Sequence, residues 1–180
     1  MKKELCQYER GGTIITIREA DPADARLLPQ LRLQIDGETE NLDREQGEAF
    51  IDAAGFEQLI QDDAANPKHL FLVAEVDGRL AGFSRCEGSS LKRLNHQVEF
   101  GIGVLKEYWG VGIGSQLLAA SINWAEASGI RKITLKVLET NIQAIALYQK
   151  LGFEEEGLLK NDKLLSDGRY YHTIVMGRWH

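Results

Sequence analysis

The sequence predicts one α/β domain whose mixed, largely antiparallel, twisted sheet is flanked by helices. Three observations lead there. Apolar runs at the front come as hairpin-like pairs around tight turns. Helical and strand-like periods then alternate through the middle, and the chain closes on another hairpin. Its 180 residues suit a single core and show no repeat, low-complexity stretch or interdomain linker.

Residues 1–12 are polar and end in Gly11-Gly12, which reads as a flexible leader before a domain spanning 13–180. Thr13 to Arg18 is β-branched and predicts a strand. Asp21-Pro22 opens a helix, Asp as N-cap and Pro at the first helical position, with Leu27, Leu28, Leu31 and Ile35 at helical spacing. Gly37 to Gly47 is acidic and polar, a predicted loop; a second helix runs from about Glu48 to Ala65 and ends before Asn66-Pro67. Leu70–Val76 and Leu80–Cys86 are strands around an Asp77-Gly78 hairpin turn. Gln97–Val104 is a strand with internal glycines, followed by a glycine-rich turn and a helix that stops at Gly129. Lys132–Leu138 is a strand, Asn141–Leu151 a helix closed by Gly152, and Arg169–Met176 the last strand.

Composition narrows the function classes. The net charge of −6 argues against a general nucleic-acid partner, which would call for a basic face. No apolar run approaches the length of a membrane span, and residues 1–10 lack the apolar stretch of a signal peptide. Cys6 and Cys86 form no C-x-x-C pair, and His69, His96, His172 and His180 have no ligand spacing, so no metal is expected and the thiols fit a reducing cytoplasm. A homodimer is compatible with all of this.

Gly110-Val111-Gly112-Ile113-Gly114-Ser115 stands between a strand and a helix. Glycines let a ligand approach the backbone, and the helix start offers unpaired N–H groups at the positive end of its dipole. The segment alone is either a pyrophosphate site or a plain connector. It is no P-loop, since no Gly-Lys-Ser/Thr follows, and its strictly alternating glycines do not form the G-x-G-x-x-G of a dinucleotide fold. Downstream, Asn141 and Tyr148 lie seven residues apart, about two helical turns, on one face. Taken singly, Asn141 reads as an N-cap and Tyr148 as a core ring.

Taken together, these segments resemble the GNAT superfamily of N-acetyltransferases. Trp109 to Gly114 occupies the place of that family's [RQ]-x-x-G-x-[GA] motif. Asn141, Ala144, Leu147, Tyr148, Gly152 and Phe153 match N-x-x-A-x-x-L-Y-x-x-x-G-F in full. The resemblance covers roughly Leu70 to Met176 and departs from the family pattern in three places. Trp109 stands where Arg or Gln is usual, Lys106 where Pro is frequent, and His172 where many relatives carry Asp.

The resemblance implies acetyl-CoA as co-substrate. It would be held by Ile102 and Val104 along the pantetheine arm, by Gly110, Val111, Gly112, Ile113, Gly114 and Ser115 at the pyrophosphate, and by Asn141. It implies direct transfer in a ternary complex to a primary amine of a small molecule or protein. Tyr148 would protonate the departing thiolate, Glu99 would take the amine's proton through water, and backbone N–H near Val104 would polarise the thioester. For Glu99 a solvent-facing strand charge is the competing account. Asp36, Glu38 and Glu40, in the loop expected beside the acceptor, would suit an amine, but solvated loop charges explain them more simply. A non-catalytic sensor of CoA or another nucleotide is the alternative function, but it would need neither Tyr148 nor Glu99.

Overall fold

The computed structural model describes residues 3–180. Among them, eight strands form one open sheet in the order β1-β2-β3-β4-β5-β6-β8-β7. The strands are β1 Glu4–Arg10, β2 Thr13–Glu19, β3 Leu70–Val76, β4 Arg79–Gly88, β5 Gln97–Val104, β6 Lys132–Leu138, β7 Glu154–Leu164 and β8 Tyr170–Trp179. The α-helices are α1 Leu28–Glu38, α2 Ala53–Ala65, α3 Ile113–Ala127 and α4 Ile142–Lys150. Every neighbouring pair is antiparallel except β5 with β6. The fold is the single mixed α/β domain that the sequence predicts.

Helices cover both faces of the sheet, and strand alternation sorts the side chains between two cores. Leu70, Leu72, Ala74 and Val76 of β3 join Val98, Phe100, Ile133 and Leu135 under α3 and α4. Phe71 and Val73 of the same strand point the other way, against Leu28, Leu31, Ile35, Phe56 and Ile60 of α1 and α2. A strand buried on both faces reads as a continuous apolar run, which is why β3 is Leu-Phe-Leu-Val-Ala. The buried Arg18 guanidinium grips Asp24 through two bonds of 2.7 and 2.8 Å and also reaches Glu75, fixing the turn that leads into α1. No helix among the described residues is long and apolar enough to cross a membrane.

Three boundaries differ from the expectation. Most of residues 1–12 is no flexible leader: Glu4–Arg10 is β1, paired with β2 from Glu4↔Arg18 to Arg10↔Thr13, while the first two residues lie outside the described ones. Gly11 and Gly12 take φ of 61° and 81°, the paired positive values of a two-residue hairpin, as Asp77 and Gly78 do at 47° and 80°. The segment after Asp21 is first a 3-10 turn, Pro22–Arg26, and α1 proper begins at Leu28 and runs through Gly37 to Glu38. The second helix starts at Ala53 rather than near Glu48, because the Asp52 carboxylate accepts from the Gly55 N–H at 2.8 Å and caps it there.

Candidate active site

The site begins where two strands part. The parallel ladder of β5 and β6 runs only from Gln97↔Lys132 to Glu99↔Thr134. Beyond it β5 stays with β4 as far as Val104↔Gly82, while β6 follows β8 as far as Leu138↔Thr173. Leu105 N–H donates to Ala81 C=O at 2.9 Å, so the odd-numbered residues of β5 bond to β4. The N–H and C=O groups of Ile102 and Val104 therefore face the side that β6 has left, where the Val104 C=O already accepts from the Trp109 indole N–H at 2.9 Å and the rest of the edge has no strand beside it. An exposed ladder edge of this kind accepts another extended, amide-bearing chain.

Past Val104 the chain reaches the glycine turn. Gly110 and Gly112 have φ of 79° and 95°, left-handed values that disfavour any side chain. Gly112 is the N-cap of α3 and, lacking a side chain, caps none of its first N–H groups. Those donors and the positive end of a 15-residue helix are thus left for an anion. A Cβ on Gly110 would meet nothing within 4 Å, so a ligand has open access to this backbone.

On the opposite wall, the Asn141 carboxamide accepts from Ala144 N–H at 3.4 Å and caps α4. Two turns on, Tyr148 is 7% exposed, its ring 5.9 Å from that of Phe153. Burial pushes its phenol up to about 12, so it is protonated throughout the neutral range. No hydrogen bond ties the hydroxyl to another described residue, although Tyr148 lines the groove.

These elements enclose a groove of about 420 Å³, lined by Ile102, Gly103, Val104, Gly110, Gly112, Ile113, Gly114, Ser115, Asn141 and Tyr148, with Arg10, Thr39, Leu42 and Trp109 at its borders. A second cavity, about 580 Å³, lies between the Asp36–Gln46 segment and the tip of the β7–β8 hairpin, and Thr39 and Leu42 line both spaces. Carboxylates dominate the second cavity, and most are engaged. Asp36 holds Arg44 at 3.0 and 3.1 Å, Glu38 accepts from Lys106 N–H at 2.7 Å, Glu40 accepts from Ser166 N–H at 2.9 Å, and Asp43 pairs with Lys163. Glu45 and Asp162 line it with no carboxylate partner among the described residues.

Comparison with known proteins fits this geometry. The family model described as "Acetyltransferase (GNAT) family" matches residues 37–153. An aminoglycoside N(6')-acetyltransferase type 1 from Stenotrophomonas maltophilia is 30% identical over 151 residues, covering 78% of this chain and 86% of its own length. This chain belongs to the GNAT acetyltransferase family. An N-alpha-acetyltransferase from Sulfurisphaera tokodaii is 41% identical over 100 residues, 51% of this chain, and the match spans only 60% of that relative. The crystal structure of a GNAT-family acetyltransferase from Streptococcus pneumoniae superposes with a TM-score of 0.89 at 31% identity, covering 92% of this chain and 99% of that one. Family membership makes the protein an acyl-CoA-dependent N-acetyltransferase, with acetyl-CoA as acetyl donor to an amine.

Within this GNAT domain the fold gathers nearly all the residues singled out from sequence. Val111 is turned away from the groove: its carbonyl accepts from the Tyr8 hydroxyl at 3.3 Å and its side chain packs on the core. Glu99 does not line the groove either. It sits where the β5–β6 ladder ends, 59% exposed, with Lys136 Nζ at 3.7 Å. By alternation it shares a face with Gly101 and Gly103, and a Cβ on Gly101 would meet nothing within 4 Å. The strip of strand is open at Gly101, whereas at Gly103, which lines the groove, Ile35 stands 3.2 Å from the Cβ position, so Glu99 is four residues, about 13 Å, from the groove wall with open strand over only part of the way. Trp109 has no donor to spare for a ligand, because its indole N–H is spent on Val104 C=O at 2.9 Å. Sequence reasoning missed Arg10. The signal that would have found it is the Gly11-Gly12 hairpin turn, which makes the preceding residues a strand.

Proposed function

We propose that this acetyltransferase acts on a primary amine, of a small molecule or a protein, that enters through the acidic cavity and is acetylated by direct transfer in a ternary complex. One observation carries the reading. The groove beside the β5 edge and the carboxylate-lined cavity share Thr39 and Leu42, so an amine held in the cavity would lie next to a donor held in the groove. Glu45 and Asp162, without a carboxylate partner among the described residues, favour a cationic acceptor over an anionic one. The names of the two curated relatives, one an N-alpha-acetyltransferase and one an aminoglycoside N(6')-acetyltransferase, are consistent with an amine acceptor of either kind.

The chemistry follows from the residues present. The ammonium must first lose a proton, and Glu99 takes it through water along the strip over Gly101. The free amine attacks the thioester carbon, with N–H of the β5 edge near Val104 polarising the carbonyl oxygen. As the C–S bond breaks, the Tyr148 phenol gives its proton to the sulfur and is later reprotonated from solvent. The free thiols Cys6 and Cys86 suit a reducing cytoplasm.

Two measurements test the proposal. Acetyl-CoA should raise the melting temperature where NAD and ATP do not. A panel of amines, alcohols and acids, followed by thiol release, should then show turnover confined to amines. Release with acids or alcohols alone would overturn the acceptor class.

A further inference from the structure

The uncapped glycine turn offers an anion dipoles but no formal charge, and Trp109, at the family's Arg or Gln position, has its only donor on Val104. The charge comes from another strand. Cys6, Tyr8 and Arg10 alternate along β1 and so share one face of it. That face is docked onto the start of α3. The Tyr8 hydroxyl donates to Val111 C=O at 3.3 Å, and Cys6 Sγ lies 3.7 Å from the Gln116 carboxamide oxygen. At the end of the strand, register-locked by Arg10↔Thr13 and the Gly11-Gly12 turn, the Arg10 side chain reaches the groove. A Cβ built on Gly112 would stand 3.5 Å from the Tyr8 hydroxyl and 3.7 Å from Arg10 Nη1. No carboxylate among the described residues pairs with this guanidinium, in a chain of net charge −6.

We infer that Arg10 is a binding residue for the pyrophosphate of acetyl-CoA, carried into the site by β1 and positioned by Tyr8, and that it supplies the side-chain donor that Trp109 does not. The inference rests on the reading of the groove as the acetyl-CoA site. A guanidinium beside backbone N–H donors binds phosphate oxygens through charge-assisted hydrogen bonds. Its position over Gly112 directs it to the pyrophosphate rather than to the thioester, so it contributes to affinity and not to the bond-breaking step.

The experiment compares Arg10→Gln and Arg10→Lys with the parent, using acetyl-CoA, 3'-dephospho-acetyl-CoA and S-acetylpantetheine as donors. Arg10→Gln should raise KM for acetyl-CoA about tenfold, leave kcat and the melting temperature of the free protein unchanged, and make acetyl-CoA binding less sensitive to salt. Arg10→Lys should recover part of the affinity. The same tenfold effect should persist with the dephospho donor and vanish with S-acetylpantetheine, which has no pyrophosphate. An effect of equal size on S-acetylpantetheine, or one that disappears with the dephospho donor, overturns the assignment to the pyrophosphate. If the parent is stabilised by acetyl-CoA and Arg10→Gln binds it as tightly, the inference about Arg10 fails alone. If acetyl-CoA does not stabilise the parent, the reading of the groove fails first.

Discussion

Replacing Tyr148 by Phe removes one hydroxyl and little else. The residue is only 7% exposed and its ring packs beside Phe153, and the variant keeps both features. A hydroxyl in a structural hydrogen bond contributes about 1 kcal/mol, or roughly 2–4 °C of melting temperature in a chain of this size. The Tyr148 hydroxyl has no described partner, so the variant should melt within about 1 °C of the parent. Catalysis should respond differently. With its phenol raised to about 12, Tyr148 is a poor acid in the abstract, some 3.5 units above a free thiol at about 8.5. The same desolvation also disfavours the departing thiolate, and the phenol is never ionised at working pH. It therefore donates as the C–S bond breaks. Loss of such a donor should lower kcat about 10²-fold, about 2.7 kcal/mol of barrier, with little change in the acetyl-CoA dissociation constant. The assay is thiol release under saturating donor and acceptor, beside equilibrium binding and a melting curve. Unchanged kcat on a genuine acceptor would refute the acid role. Equal losses in melting temperature and binding would show a packing residue.

Further outcomes follow from the same geometry. Gly112→Asp forces a side chain to φ 95° and sets a carboxylate beside Arg10 at the anion site, so acetyl-CoA should no longer shift the melting temperature; parent-like binding would reduce the turn to a connector. Trp109→Ala frees the Val104 carbonyl and uncovers the end of β5, and should lower the melting temperature by a few degrees while changing acetyl-CoA affinity less; weaker binding at unchanged melting temperature would contradict this. Glu99→Gln should depress kcat most at low pH, where the amine most needs a base, and amines of lower pKa should escape the defect; a uniform small effect would make Glu99 a solvent charge. Burial pushes the Cys86 thiol from 9.0 up to about 12, so in the unfolded chain it ionises first, and stability from this group is intact below pH 9 and falls as pH rises from 9 to 12. Cys86→Ala should flatten the fall in stability between about pH 8.5 and 10.5, and an unchanged slope would assign the fall to other groups.

Much of this protein is determined by local sequence. The Asp77-Gly78 turn fixes the Val76↔Arg79 hairpin closure because both residues adopt positive φ, and the Asn141–Phe153 segment fixes a capped helix with Tyr148 on its inner face. Gly110 to Gly114 fixes a helix start that no side chain caps. These features depend on backbone sterics and periodicity over a dozen residues, so they survive without knowledge of neighbours. Tertiary structure alone decided the rest. Whether β6 stays beside β5 depends on the competing pairings with β4 and β8, and their divergence after Glu99↔Thr134 creates the groove. The side of the sheet that Glu99 faces, the turning of Val111 toward Tyr8, and the arrival of Arg10 beside Gly112 arise from contacts more than a hundred residues apart in the last two cases. Segments 1–12 look polar and unstructured for the same reason: β1 buries little of its own, and it is held by a ladder to β2, one side-chain tie to the glycine turn and one to α3, partners no local pattern can reveal.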